Sequence, residues 1–306
     1  SHEQTIEGFQ DDALRLLQSI VPFDASMWGT ARTSPAGIDV HTLHLFQKSP
    51  DMMAEYEAVK HQDSAAASLM TRKRGTVAVH GQTWHGRREE RDISQFLSRW
   101  KQNNNILTAD NDVERRFVHW ISLFRADPDQ QCQPHELQLV HQLAPHFMQG
   151  LAINRRVHLQ QRHSQSSVPC GTAIADLRGV VYHADAAFRE MLRTEWPGWN
   201  GHTLPAPALT DFLRGQARHM GGTAVLSHHA EHGLLFLKSR RRCPADDLTP
   251  SEFRVAQLTA KGNTHKQVAA LLQRSPATVR NQLQSAYDKL GVGHVAQLVE
   301  ALRAAE

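Results

Sequence analysis

Three helix starts lie between Leu248 and Leu290, and they leave this stretch little freedom in what it can fold into. Leu248-Thr249-Pro250-Ser251-Glu252 places Thr249 at an N-cap and Pro250 at the first helical position. Glu252 follows where its carboxylate returns a hydrogen bond to the cap backbone. Gly262 suits the left-handed position that ends such a helix. Thr264 opens a second helix with an apolar side of Val268, Ala269, Leu271 and Leu272. Ser275-Pro276 repeats the cap-then-proline pattern and opens a third helix, predicted to run to about Leu290. At about 100° per residue, Val279, Leu283, Ala286 and Leu290 gather on one side of it. Ala277, Arg280, Asn281 and Gln284 gather on the other. The first side is a core seam. The second has the chemistry of base-edge recognition, since Arg pairs with guanine and Asn or Gln with adenine. The same composition also suits an ordinary solvated helix face. Two short helices joined by a tight turn make a helix-turn-helix, whose second member enters the major groove.

The wider pattern resembles the LuxR-type helix-turn-helix family. The matching stretches are Leu248-Thr249-Pro250 with Glu252, Gly262, Gln267-Val268-Ala269 with Leu272, Ser275 to Asn281, and Lys289-Leu290-Gly291-Val292. Two positions depart from the family: Gln267 stands for the usual Glu and Gln282 for the usual His. The resemblance implies that Arg280, Asn281 and Gln284 face bases, with Ala277 on the same face. It implies phosphate contacts from Thr264, Lys266, Ser275, Thr278 and Lys289. A fourth helix, Val295–Leu302, resembles the family's dimerisation helix, so the expected partners are double-stranded DNA and a second copy of the chain.

The remaining chain is long enough for more. At about 100–200 residues per domain, 306 residues suggest two or three domains, with 40% apolar and 21% charged residues suiting a globular fold. The first block starts with a predicted helix carrying Phe9, Ala13, Leu16, Leu17 and Ile20. Strands are expected at Ala25–Thr30 and Val40–Phe46, around the turn Thr33-Ser34-Pro35-Ala36-Gly37. Next come a helix at Met52–Lys60, a strand near Gly75–Val79, a helix at Ile93–Asn103 and a strand at Phe117–Phe124. A long helix follows Pro134. In the second block, strands are expected at Thr172–Asp176 and Val180–His183, then a helix at Ala186–Arg193. Loop fills Trp196 to Pro207, and Thr223–Ser227 with Leu234–Lys238 form a closing hairpin.

Relatives of the helix-turn-helix family differ in what switches them. The acidic pair, strand-end Asp and Lys of a phospho-receiver are not laid out here, and G-x-x-x-x-G-K-[ST] is absent. The first block resembles the GAF-like sensors of LuxR-type regulators. The match rests on Tyr56 with Asp63, Thr83-Trp84 with Arg91, Ser94 and Phe96, and Leu137–Leu151 including Leu143-Ala144-Pro145-His146. Acyl-homoserine-lactone receptors carry an Asp-Pro pair where Asp63 is followed by Ser64, which argues for a different ligand. The second block resembles a short PAS domain. It carries Pro169-Cys170-Gly171-Thr172, the hairpin from Asp176 to Tyr182, and His183-Ala184-Asp185 where an Asn often precedes the helix. The implied fold class is multidomain, with α+β sensor domains (GAF-like, then PAS-like) followed by an all-α four-helix LuxR-type domain. The implied bounds are 3–161, 165–239 and 244–306.

Of the six tryptophans, Trp28, Trp84, Trp100 and Trp120 lie in the first block. Pockets are mostly apolar and aromatic with a few polar anchors, so Tyr56, Asp63 and Trp84 are candidate ligand residues; the alternative is that these aromatics are core. Histidine is abundant at 20 residues, yet neither His228-His229 with His232 nor Cys132 with His135 completes a zinc pattern. These histidines read as solvated, and no metal or cofactor is expected. The basic run Lys238–Arg242 either adds phosphate contacts or is a charged linker.

The apolar runs are short, as in Leu234 to Leu237, against about 20 residues for a membrane helix. With three scattered cysteines and no basic-then-apolar start, the chain reads as cytoplasmic and not membrane-bound. No nucleophile–base pair stands out, so no enzyme is expected. The resulting expectation is a one-component transcription regulator whose sensor blocks bind a small apolar molecule and control dimeric DNA binding. The alternative is that they bind a protein partner instead.

Overall fold

The chain builds two five-stranded sheets, eight of whose strands the sequence pattern marks, and the strands neighbour one another in the same chain order in both. The computed structural model describes residues 5–34, 37–70, 72–80, 90–112, 117–163 and 170–303. The chain forms two compact units. One runs to Gln161 and takes in Asp176–Arg178 and His232–Leu234; the other holds the rest of the chain after Gln161.

In the first unit, Thr5 caps α1 (Ile6–Gln18) by accepting from the Gly8 N–H at 3.1 Å. Its buried stripe is Ile6, Gln10, Ala13, Leu14 and Leu17. Leu16 and Ile20, predicted to face inward, are 58% and 47% exposed. The predicted and observed stripes share Ala13 and Leu17; the sheet takes the one centred on Leu14. Next come β1 (Ala25–Ser34), β2 (Gly37–Phe46), α2 (Asp51–Val59), a 3-10 turn (Lys60–Gln62) and α3 (Ser64–Met70). After them come β3 (Arg74–His80), α4 (Arg91–Arg99), β4 (Asn104–Asp112), β5 (Phe117–Arg125) and α5 (Pro134–His163). The sheet order is β2-β1-β5-β4-β3, with every neighbouring pair antiparallel. Pro35-Ala36 of the predicted turn lies outside the described residues.

Strand β4 departs from the sequence pattern, because asparagine is depleted in strands. Here Asn104 and Asn111 are buried and bonded. Asn104 Nδ2 donates to the Asp127 and Pro128 carbonyls at 2.9 and 3.0 Å, and Asn111 Nδ2 to the Leu69 carbonyl at 2.7 Å. One face of the sheet carries Trp28, Ile106, Ile121 and Leu123, all 2% exposed or less. Trp28 stacks edge-on against Phe147 of α5, ring centres 6.5 Å apart. Alternation along the strands leaves Met27, Asn105, Leu107, Trp120 and Ser122 for the opposite face.

The second unit contains β6 (Gly171–Asp176), β7 (Val181–Ala184), α6 (Ala186–Glu195), α7 (Ala206–Leu213), β8 (Arg218–Met220), β9 (Ala224–Glu231) and β10 (Leu234–Arg241). The sheet order is β7-β6-β10-β9-β8. Helix α7 and strand β8 are additions that the sequence pattern does not mark. Asp185 fills the position where the PAS resemblance implies an Asn. One oxygen caps α6 through the Phe188 N–H at 2.7 Å, and the other accepts from the Thr172 N–H at 2.8 Å. At the end of α6, Glu195 accepts from the N–H groups of Gly222, Thr223 and Ala224 and from the Thr223 hydroxyl. Burial pushes its pKa up, but these donors outweigh burial and hold the carboxyl at about 2.

A 3-10 turn (Pro244–Asp247) then leads into α8 (Pro250–Ala260), α9 (His265–Leu272), α10 (Pro276–Leu290) and α11 (Val295–Arg303). Their shared core includes Ala245, Val255, Val268, Val279, Leu283 and Leu298.

Gly171 is needed for close approach. A Cβ there would lie 2.2 Å from the Phe188 backbone nitrogen, which no rotamer can relieve. Gly171→Ala is therefore expected to destabilise the second unit by about 1–3 kcal/mol, as overpacking does. A urea midpoint matching wild type would contradict it.

Candidate functional site

The C-terminal helices start where local capping places them. Thr249 and Glu252 exchange bonds as a capping box. Thr264 does the same with Gln267, whose Oε1 accepts from the Thr264 N–H at 2.8 Å, so glutamine serves where the family has glutamate. Ser275 Oγ accepts from the Thr278 N–H at 3.1 Å. Gly262 and Gly291 adopt φ of +89° and +65°, the left-handed endings expected of them. Gln273 ends α9 in the same region at +53° without being glycine.

Helix α10 divides as its periodicity predicts. Val279, Leu283, Ala286 and Leu290 are buried. Ala277, Arg280, Asn281 and Gln284 are exposed together on the other side. Gln284 is the one of these four that donates along its own helix, to Asp288 at 2.9 Å. Thr264, Lys266, Ser275 and Thr278 are exposed as well. Thr264 and Ser275 mark the N-termini of α9 and α10, where N–H groups and the helix dipole favour phosphate. Gln282 turns inward to the helical turn, accepting from Arg274 at 2.9 Å, while Arg274 also donates to Ser251 at 3.2 Å.

Three of the candidate phosphate contacts are engaged elsewhere. Lys289 donates to Glu252 at 2.7 Å. Arg240 is 5% exposed and holds Asp246 with both terminal nitrogens, at 2.6 and 2.7 Å. Arg242 pairs with Asp247 and donates to the Gly221 carbonyl. Arg240 and Arg242 of the basic run are thus bound up within their own unit, because each found a carboxylate just beyond it in the chain, while Arg241 stays exposed.

The second feature is a cavity of about 80 Å³ in the first unit. Its floor is the sheet face carrying Met27, Asn105, Leu107, Trp120 and Ser122, and its roof comes from α2, α3 and α4. Tyr56 and Asp63 both line it, and the Tyr56 hydroxyl donates to Asp63 Oδ2 at 3.0 Å. Burial, reinforced by the Asp63 charge, pushes the Tyr56 hydroxyl pKa well up, so it stays a neutral donor. Asp63 Oδ1 caps α3 by accepting from the Ala66 N–H at 2.8 Å. Both Asp63 oxygens therefore already have protein partners.

Thr83 and Trp84 lie outside the described residues. Trp28 is core on the opposite face of the sheet, and Trp100 donates to Glu55 at 3.0 Å. Trp120 does line the cavity, and the alternation Trp120-Ser122-Phe124 carries the signal for it. Asn105, 2% exposed, also lines it; nothing in the sequence marks this residue, because asparagine is depleted in strands.

Other histidines are drawn into the fold, while His135, His229 and His232 are exposed. His44 meets Asp11 at 2.9 Å and His219 meets Asp211 at 2.7 Å, with side chains 12% and 10% exposed. Burial drives the His119 pKa down to about 4. Among the described residues, no group of three His, Cys, Asp or Glu side chains is arranged to hold a metal. No helix among them is long and apolar enough to cross a membrane.

Residues 246–302 match the family described as bacterial regulatory proteins, luxR family, so the C-terminal helices are a LuxR-family helix-turn-helix domain. No curated protein matches the chain. Solved structures similar to it include SdiA from Escherichia coli, at 12% identity over 98% of this chain and 91% of that one, TM-score 0.36. Another is the N-acylhomoserine lactone-dependent LuxR family factor CepR2 from Burkholderia cenocepacia, at 12% identity over 52% and 86%, TM-score 0.37. A third is the photoproduct state of GAF3 from Slr1393 of Synechocystis, at 12% identity over 52% and 99%, TM-score 0.36.

Proposed function

We propose that the chain is a one-component, cytoplasmic transcription regulator in which a small apolar molecule controls DNA binding by a homodimer. The observation that carries the reading is the division of α10 within a LuxR-family domain: four apolar residues buried, and Ala277, Arg280, Asn281 and Gln284 presented together to solvent. An arginine and two amides on one exposed face can read base edges. Thr264, Lys266, Ser275 and Thr278 flank that face and would position it on phosphates. One domain presents a single recognition helix, and two half-sites add their energies, which favours a dimer on a pseudo-palindromic site.

For the sensor role, the support is the cavity with Tyr56 and Asp63 in its wall. We assign a GAF-like character to the first unit, supported by its order of strand pair, helix, further strands and long helix. We assign a PAS-like character to the second sheet, supported by the Gly171 to Tyr182 hairpin and the helix capped by Asp185.

The test uses duplexes selected in vitro from random sequence by the wild-type protein. Arg280→Ala is expected to lower affinity for the selected duplex by about 1–3 kcal/mol, roughly five- to 150-fold, with no loss of folding stability. The side chain is exposed, so its truncation leaves no cavity. A variant that protects the duplex as wild type does would remove α10 from the reading role.

A further inference from the structure

Among the polar groups around the cavity, most already have protein partners. Tyr56 and Asp63 bond each other, Thr108 Oγ1 bonds Thr76 Oγ1 at 2.8 Å, and Gln102 Nε2 donates to Met52 Sδ at 2.9 Å. Asn105 differs. Its Oδ1 is fully buried and has no hydrogen-bond partner. The residue sits on the interior strand β4, paired with Val79 on one side and Phe124 on the other, both of which also line the cavity. An unsatisfied buried carbonyl in such a setting is destabilising, because it has lost its water and gained no partner. Buried polar groups in native folds almost always have partners, and an exception needs a physical reason.

We infer that Asn105 selects the ligand of this cavity: a compact, mainly apolar molecule carrying one hydrogen-bond donor, N–H or O–H, that meets Asn105 Oδ1. This rests on the reading of the cavity as a ligand site and specifies what that site takes. The wall around Asn105 is built from Met27, Leu107, Val79 and Phe124, so an apolar body fills the space and the single donor removes the orphaned acceptor. A site built around a polar group rejects analogues that leave it unpaired. Asp63, with both oxygens in use, shapes the wall and holds Tyr56 and α3; the orienting acceptor is Asn105.

The experiment compares two probes of nearly equal shape, phenol and toluene, by thermal shift and by direct titration on the full chain. Phenol can donate to Asn105; toluene cannot. Wild type is expected to bind phenol about tenfold more tightly than toluene. In Asn105→Leu this preference is expected to vanish, because the acceptor is gone and the volume is kept. The same variant without ligand is expected to melt higher than wild type, since a lone buried carbonyl has been replaced by an apolar group. The comparison on wild type stands even if the variant folds poorly. Equal affinity for the two probes on wild type, or a phenol preference that persists in Asn105→Leu, would overturn the role of Asn105 alone. Failure of both probes to bind wild type would overturn it together with the ligand-cavity reading.

Discussion

Replacing Arg240 with alanine is expected to destabilise the second unit by about 3–5 kcal/mol, the cost of leaving a buried charge without its partner. The two side chains are 5% and 4% exposed, and the guanidinium holds Asp246 at 2.6 and 2.7 Å in a two-bond fork. Asp246 also accepts from the Cys243 N–H at 2.9 Å. Burial pushes its carboxyl pKa up, but the Arg240 contacts and the Cys243 N–H outweigh that and hold it below the usual range. The pair joins the end of β10 to the turn whose Ala245 is 3% exposed in the helical core. It therefore ties the last strand of the sheet to the helix-turn-helix domain. Asp246→Leu combined with Arg240→Met is expected to recover most of the loss, because a buried pair replaced as a whole leaves no stranded charge. Denaturant unfolding of Arg240→Met, Asp246→Leu and the double closes the cycle. A single substitution costing under about 1 kcal/mol would show the pair to be solvent-screened.

Glu252→Ala is expected to weaken the helix-turn-helix domain by about 1.5–3 kcal/mol, the scale of hydrogen bonds to a charged group. This carboxylate caps α8 through the Thr249 N–H at 2.7 Å and also receives Ser285 at 2.6 Å and Lys289 at 2.7 Å from α10. One side chain thus completes a local cap and clamps α8 to α10. The Lys289 and Ser285 bonds, with the Thr249 N–H, lower its pKa from the usual 4.5 to about 2. The folded state therefore binds the proton more weakly than the unfolded chain. Its contribution to stability is fully present above pH 4.5 and is lost as the pH falls toward 2. The domain's acid unfolding should flatten across that window in Glu252→Gln, which has no charge to protonate. An acid limb unchanged by the substitution would assign the acid sensitivity to other carboxylates.

The starts of α8, α9 and α10, the glycine endings at Gly262 and Gly291, and the exposed face of Arg280, Asn281 and Gln284 are all legible in the amino-acid sequence. Capping and helical periodicity act over three or four residues, so sequence spacing alone determines them. Tertiary structure alone decided what was made by distant partners. Lys289 reads as a free cation on its helix, yet it is taken by a carboxylate 37 positions away. Arg240 reads as one of a solvated basic run, yet burial beside Asp246 commits it to the interior. The asparagine-rich segment Asn104–Asp112 carries no strand signal, yet strands pair with it on both sides and the Leu69 carbonyl, 42 positions away, takes the Asn111 amide. With that strand comes Asn105, a cavity-lining residue whose side-chain carbonyl is buried and unpaired. A polar residue's place in a sheet depends on hydrogen bonds it finds across the fold, and local propensity carries no record of them.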